Sequence, residues 1–102
     1  MAFVRAIGKN DVAPGTIHEV LIGEKSLALA NVEGKFFAIN NVCLHRGGPL
    51  CEGELDRQVV TCPWHGWQFD LTSGKIVQDP ARVGTACYEV RVEGDEVLVN
   101  VG

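Results

Sequence analysis

Two short pairs of metal-binding side chains constrain this chain more than any other feature of its 102 residues. Cys43 and His45 form a C-x-H pair, and Cys62 and His65 form a C-x-x-H pair further along. Within each pair, one or two intervening residues let both side chains reach the same site. Thiolate and imidazole ligands suit zinc, copper and iron–sulfur clusters. A fold that brings the two pairs together on adjoining loops therefore creates a metal site with four ligands.

The rest of the sequence predicts a scaffold of short β-strands. Apolar stretches are brief and are interrupted by 12 glycines and 4 prolines, which favours many strands over long helices. We expect strands at residues 3–7, 18–22, 26–32, 36–40, 59–61, 68–71, 88–92 and 96–101. In the last of these, Val97, Val99 and Val101 share one face of the strand. The sequence V-E-G, which begins at Val32 and again at Val92, predicts two hairpin turns.

Length, charge and cysteine usage narrow the class of protein. A chain of this length builds one core, so we expect a single domain over residues 1–102, with both ligand loops within residues 41–80. The net charge of −4, without a basic cluster, argues against nucleic acid as a partner. No apolar run reaches the roughly 20 residues that cross a bilayer, and residues 1–11 lack the apolar region of a signal peptide. We therefore expect a cytoplasmic protein in which Cys51 and Cys87 are free thiols.

The two ligand segments read C-L-H-R-G-G-P-L and C-P-W-H-G-W-Q-F-D, and here the sequence resembles the Rieske family. That family's signature is C-x-H, a spacer of similar length, and C-x-x-H, with glycines after each histidine. The match also covers Gly47, Gly48, Pro49, Pro63 and Gly66. A third segment, residues 79–84, sits where the family places a proline-containing loop over the cluster.

The resemblance implies a fold and a cofactor. The fold is an all-β, Rieske-like antiparallel sandwich or flattened barrel, with a cluster-binding subdomain of two loops. The cofactor is one [2Fe–2S] cluster, with Cys43 and Cys62 on the inner iron and His45 and His65 on the outer iron. The free ring nitrogens of the histidines then point outward, so electrons are expected to leave at that tip.

The resemblance also predicts a low reduction potential. High-potential members of the family carry an additional cysteine in each loop, and these two residues form a disulfide; the matching positions here are Gly48 and Trp64. Such members also carry a serine and a tyrosine whose hydroxyl groups hydrogen-bond to sulfur, where this chain has Trp67 and Phe69. Fewer hydrogen bonds leave more charge on the sulfurs and lower the potential. We expect a value on the order of −150 mV, at the low end of the Rieske range.

The activity that the resemblance implies is electron transfer. Rieske-type ferredoxins of this kind shuttle single electrons from a flavin-dependent ferredoxin reductase to the terminal oxygenase of an aromatic ring-hydroxylating dioxygenase system. The chain is not expected to be the oxygenase itself, because that enzyme needs a second iron on two histidines and a carboxylate. Besides His45 and His65, only His18 remains. We expect an electron-transfer component that acts as a monomer, without a membrane or nucleic-acid partner.

Two alternatives and three side chains stay open at this point. The chain could be the small subunit of a nitrite reductase-like complex, which shares this fold, or a structural zinc module with the same four ligands. The glycine and proline context favours the cluster over zinc. Trp64, beside a ligand, is expected to contribute to partner docking. For Trp67, core packing is an equal alternative to shielding the cluster or forming the partner-docking surface. For Arg46, a solvated side chain is an equal alternative to contacting a partner or raising the potential slightly by its charge.

Overall fold

The computed structural model describes residues 3–41, 49–63, 66–79, 81 and 84–101. These ranges contain two 3₁₀ helices, Lys9–Asp11 and Leu50–Glu52, and ten strands. The strands are β1 Phe3–Gly8, β2 Thr16–Ile22, β3 Lys25–Val32, β4 Lys35–Asn40, β5 Glu54–Asp56, β6 Val59–Thr61, β7 Gln68–Asp70, β8 Cys87–Tyr88, β9 Val90–Glu93 and β10 Glu96–Asn100. Neither helix has the length and hydropathy that crossing a bilayer would need. The predicted all-β fold is confirmed.

The strands form three antiparallel sheets, with the orders β1-β10-β9, β2-β3-β4-β8 and β5-β6-β7. Tight hairpins join neighbouring strands. Glu33 and Gly34, between β3 and β4, both have positive φ angles (53° and 92°), as a two-residue hairpin turn requires. Gly94 adopts the same left-handed conformation between β9 and β10. Both turns predicted from V-E-G are therefore confirmed.

The central strand β3 is buried on both faces, so the four-stranded sheet lies between two apolar cores. Leu27 and Leu29 face the β1-β10-β9 sheet, whereas Ala28 and Ala30 face the β5-β6-β7 sheet. We call the first the sandwich core; it consists of Val12, Val20, Leu27, Leu29, Ala38, Val97 and Val99, with Val101 packed against it. We call the second the loop-side core; it consists of Ala28, Ala30, Ile39, Leu50, Val60, Cys62, Phe69, Leu71 and Ile76. The predicted common face of the last strand is thus confirmed.

One predicted strand is wrong in extent. The sequence predicted a continuous strand over residues 88–92, but the chain changes sheets there: β8 pairs with β4, and β9 pairs with β10. The break falls at Glu89, whose carbonyl accepts a hydrogen bond from the Asn100 N–H (2.9 Å). A strand that serves two sheets keeps the same alternation of side chains, which is why the sequence pattern hides the break. Strand β5 was also missed, since Leu55 is its one apolar residue.

Candidate metal centre

The structure describes one of the four predicted ligands, Cys62, whereas Cys43, His45 and His65 lie outside the described residues. Cys62 directly follows β6, and its side chain is 1% exposed within the loop-side core. It forms no disulfide. A buried free thiol at the base of a loop is the soft donor that an iron–sulfur cluster takes. The part of the donor set that the structure describes therefore fits such a cluster.

The second ligand loop is closed at its base by two main-chain hydrogen bonds. The N–H of Cys62 donates to the carbonyl of Trp67 (2.7 Å), and the N–H of Gly66 donates to the carbonyl of Cys62 (3.1 Å). Gly66 has a φ of +72°, which side chains with a Cβ rarely adopt. These contacts join Cys62 to Gly66 and Trp67, the described residues on either side of the predicted ligand His65.

Residues 76–78 form hydrogen bonds to the main chain at the end of the second loop. Ile76 forms an isolated bridge with Phe69, and the N–H of Val77 donates to the carbonyl of Gln68 (2.8 Å). The side chain of Gln78 continues this contact, because its Oε1 accepts from the N–H of Gln68 (3.0 Å) and its Nε2 donates to the carbonyl of Gly66 (3.2 Å). The third segment predicted from the sequence, residues 79–84, begins directly after Gln78, and Pro80 and residues 82–83 lie outside the described residues.

The first ligand loop is the segment between Asn41 and Pro49, and Asn41 closes it through both its main chain and its side chain. The carbonyl of Asn41 accepts from the N–H of Leu50 (2.6 Å), and its Oδ1 accepts from the N–H of Cys51 (2.7 Å). Asn41 is only 4% exposed. Asn41 is not among the residues predicted from the sequence; the available signal was a turn-favouring asparagine between a strand and the C-x-H pair. We call Glu19, Ser26, Asn41 and Cys51 the Asn41 network.

Gly53 joins the supports of the two loops. It follows the 3₁₀ helix Leu50–Glu52 at the exit of the first loop, and it lies against the carbonyl of Thr61, the residue before Cys62. A Cβ at this position would overlap that carbonyl oxygen and lie 3.1 Å from the carbonyl of Leu50. A glycine is therefore required where the two supports meet.

At the two positions where high-potential members carry hydroxyl groups, this chain has the aromatic residues Trp67 and Phe69. Phe69 is fully buried in the loop-side core, and Trp67 is half-buried and packs against the same core. Core packing, one of the alternatives for Trp67, is therefore observed. Trp64 and Arg46 lie outside the described residues.

The remaining candidate residues are two cysteines, Cys51 and Cys87, and one histidine, His18. Cys51 and Cys87 are free thiols, as predicted. Burial raises the pKa of Cys51 and also that of Cys87. The thiol of Cys87 donates to the carbonyl of Leu71 (3.5 Å), which requires the protonated form. His18 is exposed on β2.

Known proteins resemble this chain over almost its whole length. Residues 2–89 match the Rieske [2Fe–2S] domain family. The chain is 36% identical over 101 residues to the ferredoxin component of biphenyl 2,3-dioxygenase from Rhodococcus jostii RHA1, covering 99% of this chain and 94% of that protein.

Solved structures agree with this result. The ferredoxin of carbazole 1,9a-dioxygenase from Nocardioides aromaticivorans IC177 superposes with a TM-score of 0.89 at 25% identity, covering 97% of each chain. A chain from the complex of reduced oxygenase and oxidized ferredoxin in carbazole 1,9a-dioxygenase superposes with a TM-score of 0.86 at 35% identity, covering 95% of this chain and 91% of that one. The protein therefore belongs to the Rieske [2Fe–2S] domain family, whose members bind one cluster through two cysteines and two histidines.

Proposed function

We propose that this protein is a Rieske-type ferredoxin that carries single electrons to the terminal oxygenase of a dioxygenase system. The observation that carries the proposal is full-length similarity to named ferredoxin components, in a chain that retains both the C-x-H and the C-x-x-H pairs. The electron donor is a flavin-dependent ferredoxin reductase, and the protein acts in the cytoplasm as a monomer. It forms a single domain over residues 1–102, with the cluster-binding subdomain at residues 41–80.

The cluster is held by Cys43, His45, Cys62 and His65. When bound, it accepts and releases one electron at a time. The burial of the second loop supports the division of roles between its ligands. Cys62 is buried, whereas Pro63 and Gly66 are exposed, so the loop runs from the core to the surface within a few residues. The cysteine binds the inner iron, and His65, which precedes the exposed Gly66, faces the partner proteins.

The surroundings of Cys62 support a low reduction potential. Phe69 is fully buried in the same apolar core as Cys62, and Trp67 supplies no hydroxyl group beside it. An apolar shell with few donors stabilises the extra electron poorly, so the potential lies on the order of −150 mV. A measured midpoint above zero would refute this part of the proposal.

The ligand assignment is tested on reduced protein by electron paramagnetic resonance, with visible absorption as a second readout. His65→Ala should abolish the spectrum of a histidine-ligated cluster, and Cys62→Ala should abolish cluster binding. The matched controls are His18→Ala and Cys87→Ala, because both residues lie outside the ligand loops. These two controls should retain the wild-type spectrum. A histidine-ligated spectrum that survived in His65→Ala would overturn the assignment.

The carrier role is tested by stopped-flow mixing of the reduced protein with the oxygenase component of the biphenyl dioxygenase system, the system of one relative. Reoxidation of the carrier at a rate that rises with oxygenase concentration is the expected result. If the protein is inert towards that oxygenase but co-purifies with a large sirohaem protein, it is a nitrite reductase-type subunit. If the purified protein is colourless and contains zinc but no iron, it is a structural zinc module.

A further inference from the structure

We propose that Asn41 is a positioning residue for the cluster, acting through the first ligand loop, and that Glu19 and Ser26 fix the orientation of its side-chain amide. The inference rests on the proposed function, because the loop in question carries Cys43 and His45. It concerns residues that neither bind the cluster nor lie in the ligand motifs. Asn41 follows β4, and the other two lie on β2 and β3 of the central sheet.

Asn41 ties both ends of the first loop to the central sheet. Its main-chain N–H donates to the carbonyl of Ser26 (2.9 Å), which anchors the start of the loop to β3. Its carbonyl and its Oδ1 receive the N–H groups of Leu50 and Cys51, which anchor the end of the loop. One buried residue thus determines where the loop leaves the sheet and where it returns.

The amide of Asn41 can satisfy these contacts in one orientation only. An asparagine amide presents a donor and an acceptor that exchange places when the group rotates by a half-turn. Nδ2 donates to Ser26 Oγ (3.0 Å) and to Glu19 Oε2 (3.3 Å). The Ser26 hydroxyl donates its one hydrogen bond to Glu19 Oε2 (2.6 Å), so towards Asn41 it can act only as an acceptor. The carboxylate therefore directs the NH₂ group towards itself and leaves Oδ1 for the N–H of Cys51.

This arrangement reaches the cluster because the first loop has its ends fixed here. Groups that orient metal ligands without binding the metal tune both affinity and redox potential. If the Asn41 amide rotates or is lost, the N–H of Cys51 loses its acceptor, and the exit of the loop is held only by the main-chain hydrogen bond between Leu50 and Asn41. The ligands Cys43 and His45 then sample more than one arrangement. A residue that only stabilised the fold would lower stability without changing the spectrum or the potential of the cluster.

Asn31 supplies a matched control for that distinction. It is as buried as Asn41, at 4% exposed. It also uses both ends of its amide: Nδ2 donates to the carbonyl of Val12 (2.8 Å), and Oδ1 accepts from the N–H of Gly34 (2.8 Å). Asn31 lies at the opposite end of β3 from Ser26. Loss of either asparagine side chain should therefore cost similar stability, but only Asn41 should affect the cluster.

The first experiment compares Asn41→Ala and Asn31→Ala in cluster-loaded protein. Midpoint potential, the g-values and line widths of the reduced cluster, and thermal unfolding are measured for both variants. Both should unfold at lower temperature than wild type, whereas only Asn41→Ala should shift the potential and broaden the resonance lines. If Asn41→Ala keeps the wild-type potential and line shape, or if Asn31→Ala changes them equally, the positioning role is overturned.

A second pair of variants keeps the test decisive if Asn41→Ala does not take up the cluster. Asn41→Asp retains an oxygen for the N–H of Cys51 but places two carboxylate groups against each other at Glu19. Adding Glu19→Gln restores a donor opposite the new carboxylate. The double variant should release iron to a chelator several-fold more slowly than Asn41→Asp alone and should recover narrower lines. No recovery would overturn the orienting role of Glu19. A wild-type protein without a Rieske spectrum would instead show that the proposed function itself fails.

Discussion

The two ligand loops are closed at their bases by different means. The first is held by one buried residue, Asn41, through its main chain and through a side chain that is hydrogen-bonded to Glu19 and Ser26 of the central sheet. The second is closed by its own main chain between Cys62 and Trp67, and the exposed side chain of Gln78 fastens it from outside. One loop thus depends on the contacts of a single buried residue, whereas the other depends on local turn geometry.

The difference matters because a hydrogen bond is worth more when its loss leaves a buried group without a partner. Removing one partner from a buried pair costs about 1–3 kcal/mol, whereas an exposed group exchanges its partner for water at little net cost. Single substitutions at Asn41, or at its distant partners Glu19 and Ser26, should therefore strongly reduce the stability of the first loop. The second should tolerate the loss of Gln78 and respond mainly to changes in its own turn.

The largest effect is expected where the two supports meet, at Gly53. Gly53→Ala places a Cβ against the carbonyl of Thr61, and relief requires the main chain of β6 to move. We expect a loss of about 3 kcal/mol, the upper range for overpacking. The matched variant is Gly66→Ala, whose Cβ meets open space but whose φ of +72° is unfavourable, at a cost of about 1–2 kcal/mol. Thermal unfolding of the loaded proteins should rank them in this order, and equal losses would argue against the close approach at Gly53.

The next largest effect separates the two loop bases directly. Asn41→Ala and Gln78→Ala each remove the side-chain oxygen that accepts from one main-chain N–H, that of Cys51 or that of Gln68. Because Asn41 is buried and Gln78 is exposed, we expect a local loss of about 2 kcal/mol in the first case and about 0.5 kcal/mol in the second. Hydrogen exchange measured at those two amides reports each loss where it occurs. Similar acceleration at both amides would mean that the two loops are held alike.

The contrast between the loops also marks how far sequence reasoning reaches in this protein. The hairpins at Glu33 and Gly94 follow from local turn chemistry, and the shared face of Val97 and Val99 follows from strand alternation, so both were predicted. Asn41 escaped notice because its partners lie far away: it is 15 residues from Ser26 and 22 from Glu19. Side-chain hydrogen bonds across such separations depend on strand register, which a sequence pattern does not specify.

The same limit applies to the second loop and to the sheet boundaries. Gln78 meets Gln68 and Gly66 only because the chain folds back along β7, at separations of 10 and 12 residues. The break at Glu89 depends on which sheet supplies the next partner, and the alternation of side chains is the same on both sides of it. Local chemistry thus predicted the ligand motifs and the turns, whereas contacts that support the loops depend on the tertiary arrangement.

The smallest expected effect concerns pH and the thiol that lies beside the support of the second loop. Cys87 donates its proton to the carbonyl of Leu71, just after β7, and its pKa is raised above the ordinary 9.0, first by burial and then by the nearby charge of Asp70. The native state therefore holds this proton at pH values where the unfolded chain has released it. Its contribution to stability is complete below about pH 9 and is lost as the pH rises through the higher native pKa.

Cys87→Ser removes this titration while keeping a hydroxyl that can donate to the same carbonyl. The decline in stability above pH 9 should therefore be shallower in Cys87→Ser than in wild type, with no difference in slope between pH 6 and 8. Thermal unfolding of both proteins across pH 6 to 10.5 measures the two slopes. Because Cys87 is partly exposed, solvent limits the difference to a small fraction of the total stability. If the stability of both proteins declines in parallel up to pH 10.5, ionisation of the Cys87 thiol does not cost a native contact. The loss of stability at alkaline pH would then arise from another group.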